Sequence, residues 1–222
     1  MKAQEVRNIS FHGIGRLGLE REPGEHGYWV SEDSFLRLLD EFAGRSRVRL
    51  SFDDGNVSDI EIALPALVER GLTADFFPVA DRVGTAGSVD RAGLRELVAA
   101  EMRVGTHGAA HRRWTCGSAA VLVDELETAR RRIAQAAGCV VDSAACPFGA
   151  YDRRLLRRLR VLGYKTVFTS DERPAWEGSW CQPRYTVRAG DTAETVRARM
   201  FCERAAAGRL ADAAVLRVKA WR

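Results

Sequence analysis

Two short polar motifs contain residue types that bind metals and transfer protons. His107 and His111 are four positions apart, so both imidazoles can point to one side of a helical or turn segment. Two of the four histidines of the chain lie in this pentapeptide. Asp53 and Asp54 follow an apolar run and supply two adjacent carboxylates. Each motif alone also fits a polar loop or a helix cap.

Two imidazoles and one carboxylate form a common catalytic metal site, in which water occupies the open position. The ion lowers the pKa of that water towards ~7 and polarises an oxygen of the substrate. A second carboxylate can then accept the proton of the water. The combined motifs therefore predict metal-assisted hydrolysis of an acyl derivative or a similar carbonyl compound.

The elements that carry these motifs alternate between strands and helices. Apolar runs predict strands at 5–11, 47–52, 73–79, 102–106, 139–146, 164–169 and near 185–188. Helical spacing follows Ser31 and Asp191, and it recurs over 60–68, 94–100, 122–133 and 155–162. The alternation predicts an α/β fold with a parallel sheet, and six or seven such units fit a barrel or a distorted barrel. Both motifs follow strands, at the barrel end where such folds bind ligands.

Length and composition exclude several classes of protein. A chain of 222 residues with a dispersed net charge of +4 indicates one globular domain and no nucleic-acid partner. Its five cysteines include no C-x-x-C pair, which argues against disulfides and a thiolate zinc site. No apolar run is long enough for a membrane span. The absence of a secretory leader predicts a cytoplasmic location.

Three segments together resemble the motifs of a known family. LSFDDG (50–55), GTHGAAH (105–111) and ACPFGAYD (145–152) resemble the polysaccharide deacetylases, which are carbohydrate esterase family 4 with the NodB homology domain. The motifs occur in the family's order and spacing, and the resemblance covers roughly residues 8–190. It implies a distorted (β/α) barrel, here assigned to residues 1–208. Residues 209–222 are predicted to form a C-terminal tail, on the barrel or at a subunit contact.

The resemblance also assigns roles to individual residues. It implies that Asp54, His107 and His111 bind one divalent metal ion, usually zinc, and that Asp53 is the general base. Cobalt, nickel and iron also suit such a ligand set. The backbone N–H of Phe148 would help to hold the oxyanion, to which one such donor contributes on the order of 3 kcal/mol.

The chain departs from the family pattern in two places. Many members have an arginine that pairs with the base, and Ala145 occupies that position here; Arg184 is a candidate to replace it. Members also carry a late histidine as general acid, but this chain has none after His111. The strand before His12 resembles the final strand of the family, placed first as in the permuted poly-N-acetylglucosamine deacetylases. His12 is therefore predicted as the acid, although a histidine packed at a strand end is the alternative.

The predicted activity is removal of an N-acetyl or other N-acyl group from an amino sugar. Without a leader, a soluble, nucleotide-linked or lipid-linked sugar or a glycosylated natural product fits better than a cell-wall polymer. The alternatives are hydrolysis of another amide or cyclic imide, and an inactive barrel that binds glycans or a partner protein. Each candidate substrate contact also fits a packing or capping role: Tyr28, Trp29, Trp114, Asp171 and Arg184.

Overall fold

The molecule is built around a ring of parallel strands. The computed structural model describes residues 4–18 and 20–201. Within them the strands are β1 (Glu5–Phe11), β2 (Gly13–Ile14), β3 (Trp29–Val30), β4 (Val48–Asp54), β5 (Ala74–Pro78), β6 (Arg103–Val104), β7 (Ser143–Ala145), β8 (Thr166–Thr169), β9 (Ala175–Trp176) and β10 (Cys181–Thr186).

Seven of these strands pair in parallel in the order β6-β5-β4-β1-β10-β8-β7. The two ends of this sheet meet at Thr106. Its N–H donates to the carbonyl of Ser143 at 3.1 Å, and its carbonyl accepts from the N–H of Ala145 at 3.0 Å. The predicted fold is confirmed: the strands form a nearly closed (β/α) barrel. The first strand lies between β4 and β10, so it sits beside the last strand of the barrel.

Helices surround this ring. They are α1 (Glu32–Phe42), α2 (Leu64–Glu69), α3 (Arg91–Ala99), α4 (Ala119–Val123), α5 (Ala129–Ala137), α6 (Arg153–Val161) and α7 (Ala193–Phe201). A π-helical segment, Asp59–Ala63, leads into α2, and a second one, Asp124–Thr128, joins α4 to α5. Side-chain caps fix several helix starts: Ser31 accepts from the N–H of Ser34, and Asp152 accepts from that of Leu155. Such a cap contributes about 1 kcal/mol.

An aromatic stack fixes the central strands against the first helix. The rings of Phe52 and Phe76 stack at 4.7 Å between centroids, and those of Phe11 and Phe52 stack at 5.4 Å. Phe35 of α1 meets Phe11 edge to face at 5.2 Å. Successive side chains of a strand point to opposite faces. Because these rings face the helices, the residues between them point into the barrel.

The barrel interior is lined by polar side chains that bond to one another. The amide of Asn8 donates to Gln182 at 2.9 Å, and the hydroxyls of Ser10 and Thr186 lie 3.1 Å apart. All four side chains are buried. Paired buried polar groups avoid the cost of lost hydration. The interior can therefore hold charged residues at the end where the cleft opens.

Two strands differ from their predicted bounds. The strand expected at 139–146 begins only at Ser143, and Val140 before it is 78% exposed. The strand expected near 185–188 spans Cys181–Thr186, because Pro183 and the inward polar residues beside it hide the apolar signal. The predicted tail, 209–222, lies outside the described residues. Among the described helices, none has the length and apolar character that crossing a membrane requires.

Gly105 lies where the two edges of the sheet close, and it provides a test of that closure. A Cβ atom there would lie 2.4 Å from the ring of Phe77 and 2.6 Å from the hydroxyl of Ser143. We expect Gly105→Ala to lower the free energy of unfolding by about 1–3 kcal/mol through overpacking. Gly18→Ala is the control, because its Cβ would meet no atom within 4 Å. Equal urea midpoints for the two variants would contradict the tight closure.

Candidate active site

The carboxyl ends of the barrel strands open into one cleft of about 520 Å³. Its lining includes residues from four separate strand ends. They are His12 after β1, Asp53 and Asp54 at the end of β4, His107 after β6 and Phe148 after β7. Parallel pairing places these strand ends at the same edge of the barrel. Residues far apart in sequence therefore face one space.

Asp54, His107 and His111 form a cluster whose possible ligand atoms all lie within 4.8 Å of one another. The Oδ1 of Asp54 lies 3.8 Å from Nε2 of His107 and 3.5 Å from Nε2 of His111. This oxygen is buried and has no hydrogen-bond partner among the residues that the structure describes. A buried acceptor without a donor is costly. An ion between these three side chains would remove that cost, so the set fits a divalent metal.

Hydrogen bonds to the far side of each imidazole select which nitrogen faces the cluster. His107 donates from Nδ1 to the carbonyl of Ala145 at 2.8 Å, and His111 donates from Nδ1 to Glu22 at 2.6 Å. Both Nε2 atoms are then unprotonated and available as ligands. Burial lowers the pKa of His107 to about 4. Its imidazole is therefore neutral at pH 7, as a metal ligand must be.

The backbone between the two histidines rests on a buried carboxylate. Glu125 accepts from the N–H of Ala109 at 2.8 Å and from the indole of Trp114 at 3.2 Å. Gly108 has a φ of 89°, and a Cβ there would lie 2.3 Å from an oxygen of Glu125. Only glycine allows this close approach. Glu125 thus holds the turn that directs both imidazoles to one side.

Asp53 forms a buried, bidentate ion pair with Arg184. The two guanidinium nitrogens donate to the two carboxylate oxygens at 2.7 and 2.6 Å, and one of them also donates to Ser51 at 3.0 Å. The guanidinium lies 5.6 Å from the ring centroid of Phe77 and 5.7 Å from that of Phe168. Burial by itself raises the pKa of Asp53, but the charge of Arg184 outweighs it and holds that pKa well below its usual value. Asp53 is therefore a carboxylate at neutral pH.

His12 and Tyr28 line another part of the same cleft. Their ring centroids are 5.0 Å apart, and Tyr28 is 38% exposed. His12 follows β1, the strand between the one that carries Asp53 and the one that carries Arg184. Its Nδ1 is buried and has no partner within the described part of the chain.

Phe148 places an unusual backbone conformation in the cleft. Its φ is 58°, in the left-handed region, which is strained for an aromatic residue. Its side chain is 50% exposed and lies 4.5 Å from the ring of His111. Residues 4–18 and 20–201 provide no acceptor for its N–H. Such a free donor can bind negative charge that develops on a substrate oxygen.

Comparison with known proteins identifies the family. The family model described as polysaccharide deacetylase matches residues 42–167, more than half of the chain. The chain belongs to the polysaccharide deacetylase family. The matched range contains Asp53 and the cluster of Asp54, His107 and His111, named the metal-ligand cluster below because it fits a divalent ion. No curated protein matches the chain significantly.

Solved structures with the same fold include other deacetylases. The Streptococcus pyogenes deacetylase PplD, in complex with acetate, superposes with a TM-score of 0.78 at 18% identity, over 90% of this chain and 99% of that one. A polysaccharide deacetylase from Bacillus cereus gives 0.76 at 16% identity, over 89% of this chain and 69% of that one. IcaB from Ammonifex degensii gives 0.69 at 22% identity, over 88% and 96%. These likenesses show a shared barrel.

The structure corrects four of the five predicted substrate contacts. Trp114 is 1% exposed and packs beneath the metal-ligand turn, so it cannot reach a substrate. Trp29 lies against Gly13, where a Cβ would come within 2.1 Å of its ring. Asp171 accepts hydrogen bonds from Tyr151 and Thr169 and does not line the cleft.

Arg184 is the fourth correction. It is completely buried, so it does not contact substrate, and its guanidinium instead pairs with Asp53. This places it where the sequence suggested a replacement for the arginine that is missing at position 145. Of the five predicted contacts, only Tyr28 lines the cleft.

Three residues around the metal-ligand cluster were not predicted. Glu22 bonds to His111, and Arg82 donates to Glu22 while lying 3.5 Å from Asp54. Glu22 and Arg82 come from irregular segments, where the sequence has no periodic pattern. Glu125, in contrast, could have been found from the helical pattern around it. It stands on the apolar face of its helix, three residues after Leu122 and one before Leu126, where a charge is unexpected.

Asp59 is a buried carboxyl close to the cluster but outside it. Asp59 is the first residue of the first π-helical segment, and its Oδ1 has no hydrogen-bond partner among the described residues. Burial, together with the charges of Asp54 and Asp53, raises the pKa of Asp59 well above its usual value. The folded chain therefore keeps this proton at pH values where the unfolded chain releases it.

We expect Asp59→Asn to stabilise the metal-free protein increasingly as the pH rises. The stabilising effect of the protonated carboxyl is complete below the unfolded pKa of about 3.9 and is lost as the pH rises towards the raised folded pKa. Between those values the advantage of the variant should grow by about 1.4 kcal/mol per pH unit. Urea unfolding in EDTA between pH 4.5 and 7 measures it. An advantage that does not change with pH, as expected for the exposed control Asp33→Asn, would contradict the buried protonated state.

Proposed function

We propose that this chain is a metal-dependent hydrolase that removes an N-acetyl or other N-acyl group from an amino sugar. The observation that carries the proposal is the placement of an ionised carboxylate beside a metal-ligand cluster. Asp53 is held as a carboxylate by Arg184, and it adjoins Asp54 in the chain and in the cleft. Family membership supports the same reaction class.

Asp54, His107 and His111 would hold one divalent ion, for which zinc suits the ligand types. When bound, such an ion lowers the pKa of water towards ~7 and polarises a carbonyl oxygen. The protein's own contribution is orientation. Glu22 and the carbonyl of Ala145 fix the two imidazoles, and Glu125 fixes the turn between them.

Asp53 acts as the general base that takes a proton from the attacking water. A base must be ionised before the reaction, and the guanidinium of Arg184 keeps it so. The bidentate contact also fixes the plane of the carboxylate. Arg184 is thus a positioning residue that acts through Asp53.

The remaining steps use the backbone N–H of Phe148 and the side chain of His12. The N–H of Phe148 donates to the oxygen that gains negative charge when water adds to the acyl carbon. His12 protonates the amine nitrogen as the C–N bond breaks, because it lines the cleft beside the strand end that carries Asp53. The products are acetate and the free amino sugar.

Two observations favour a sugar amide and an active enzyme over the alternatives. Tyr28 and Phe148 line the cleft and are 38% and 50% exposed, so both rings can contact a bound sugar. The absence of an arginine at position 145, where Ala145 stands, would favour an inactive barrel. Arg184 supplies a guanidinium to Asp53 from another strand, so that argument loses its basis.

Metal content and turnover together test the ligand set and the base. We expect about one metal ion per chain in the wild type, loss of the ion in His107→Ala and Asp54→Ala, and retention of it in Asp53→Asn. Acetate release from N-acetylated sugar oligomers should fall by about a hundredfold to ten-thousandfold in Asp53→Asn, because a general base contributes 10²–10⁴-fold. Near-normal turnover in Asp53→Asn would exclude its role as base. A folded wild type that binds no metal after reconstitution would refute the mechanism.

Replacing Arg184 by lysine tests its effect on Asp53. A lysine presents a single charged point and cannot form the bidentate contact. The pKa of Asp53 should rise, so the acid limb of the pH profile of kcat should move upward by about one unit. Arg49→Lys, at a partly exposed position on β4, the strand that carries Asp53, should leave the profile unchanged. A lower stability with an unmoved acid limb would show that Arg184 serves the fold alone.

A further inference from the structure

The acidic side chains that line the cleft already have partners. Asp53 pairs with Arg184, and Asp54 belongs to the metal-ligand cluster. The other three are Glu22 with His111 and Arg82, Glu25 with Arg21, and Glu172 with the N–H of Thr186. The negative charges of the cleft are therefore committed to the protein itself.

Two arginines that line the same cleft form no ion pair with a described carboxylate. Arg113 and Arg188 are exposed and line the cleft, and their guanidinium groups have no carboxylate partner within residues 4–18 and 20–201. Arg82, the other arginine of the lining, is bound by Glu22. The rim of the cleft consequently carries positive charge that the described residues leave uncompensated.

Each of these two arginines lies near one of the exposed aromatic residues of the cleft. The guanidinium of Arg113 lies 4.8 Å from the ring centroid of Phe148, whose N–H is the proposed oxyanion donor. The chain at Arg188 runs next to the chain at Tyr28, because the N–H of Ala189 donates to the carbonyl of Gly27 at 2.9 Å, and both residues line the cleft. A sugar ring bound in the cleft would thus share its lining with two guanidinium groups.

We propose that the substrate is an N-acetylated amino sugar that carries an anionic group, phosphate or carboxylate, close to the acetamido-bearing ring. This inference rests on the proposed deacetylase function and specifies its substrate class. Guanidinium groups match both anions through paired N–H donors. Unpaired positive charge at the mouth of a cleft also concentrates anions there.

Acetate release from matched substrates tests the proposal. The probes are N-acetylglucosamine 1-phosphate, N-acetylglucosamine 6-phosphate and N-acetylmuramic acid, with N-acetylglucosamine and its neutral trimer for comparison. We expect higher kcat/KM for at least one anionic probe, and KM for that probe about fivefold higher in Arg113→Gln and in Arg188→Gln. Arg154→Gln, an exposed arginine on α6 outside the cleft, should match the wild type.

The outcomes separate this inference from the proposed function. A preference for a phosphate or for the carboxylate probe supports it and names the anion. Equal or better turnover of the neutral sugars, or equal losses on neutral and anionic probes in both variants, would overturn it and leave the deacetylase function intact. If no probe releases acetate, the proposal is tested by measuring the binding of the same sugars to the metal-loaded protein by calorimetry. Tighter binding of an anionic sugar that weakens in Arg113→Gln and Arg188→Gln still supports the anion site, and equal binding refutes it.

Discussion

The buried ion pair between Arg184 and Asp53 is the interaction on which the site depends. Opposite charges without water are tolerated only where hydrogen bonds satisfy nearly all of their polar atoms. Here the guanidinium reaches both carboxylate oxygens and Ser51. The inward amide of Asn8 and the hydroxyl of Ser10 also have hydrogen-bond partners in the barrel. The pair also spans β1, because that strand separates β4 from β10. If β4 or β10 moved, Asp53 and Arg184 would separate, and each buried charge would lose the partner that compensates for its lost hydration.

Closure of the barrel and orientation of His107, a proposed metal ligand, use the same short segment. Ala145 donates its N–H to Thr106, which joins the two edges of the sheet, and its carbonyl accepts from His107. The histidine follows Thr106 directly in the chain. One imidazole is therefore oriented by the contact that completes the barrel. The other imidazole, that of His111, is oriented by Glu22, which comes from an irregular segment.

Sequence reasoning succeeded where residue type and position along a strand coincide. Asp53 and His107 follow apolar strands, and parallel pairing brings their ends to one edge, so both the barrel and the ligand cluster could be inferred. Pro183 concealed the start of the last strand, because a proline within an apolar run usually indicates a loop. Glu22 contacts His111 across 89 positions from a segment without periodicity, and no local pattern encodes such a contact. Trp114 was misassigned because a tryptophan fits a core and a sugar site equally well.

The order of these elements along the chain sets the order in which the site can be assembled. Asp54 and both histidine ligands occur within residues 54–111, whereas Arg184 is 131 positions from Asp53. Contacts between distant segments carry the larger entropy cost and limit the rate of folding. A growing chain that has reached residue 111 already contains the ligands, yet Asp53 has no countercharge until β10 arrives. The barrel is complete, and Asp53, the proposed base, has its countercharge, only once β10 is in place.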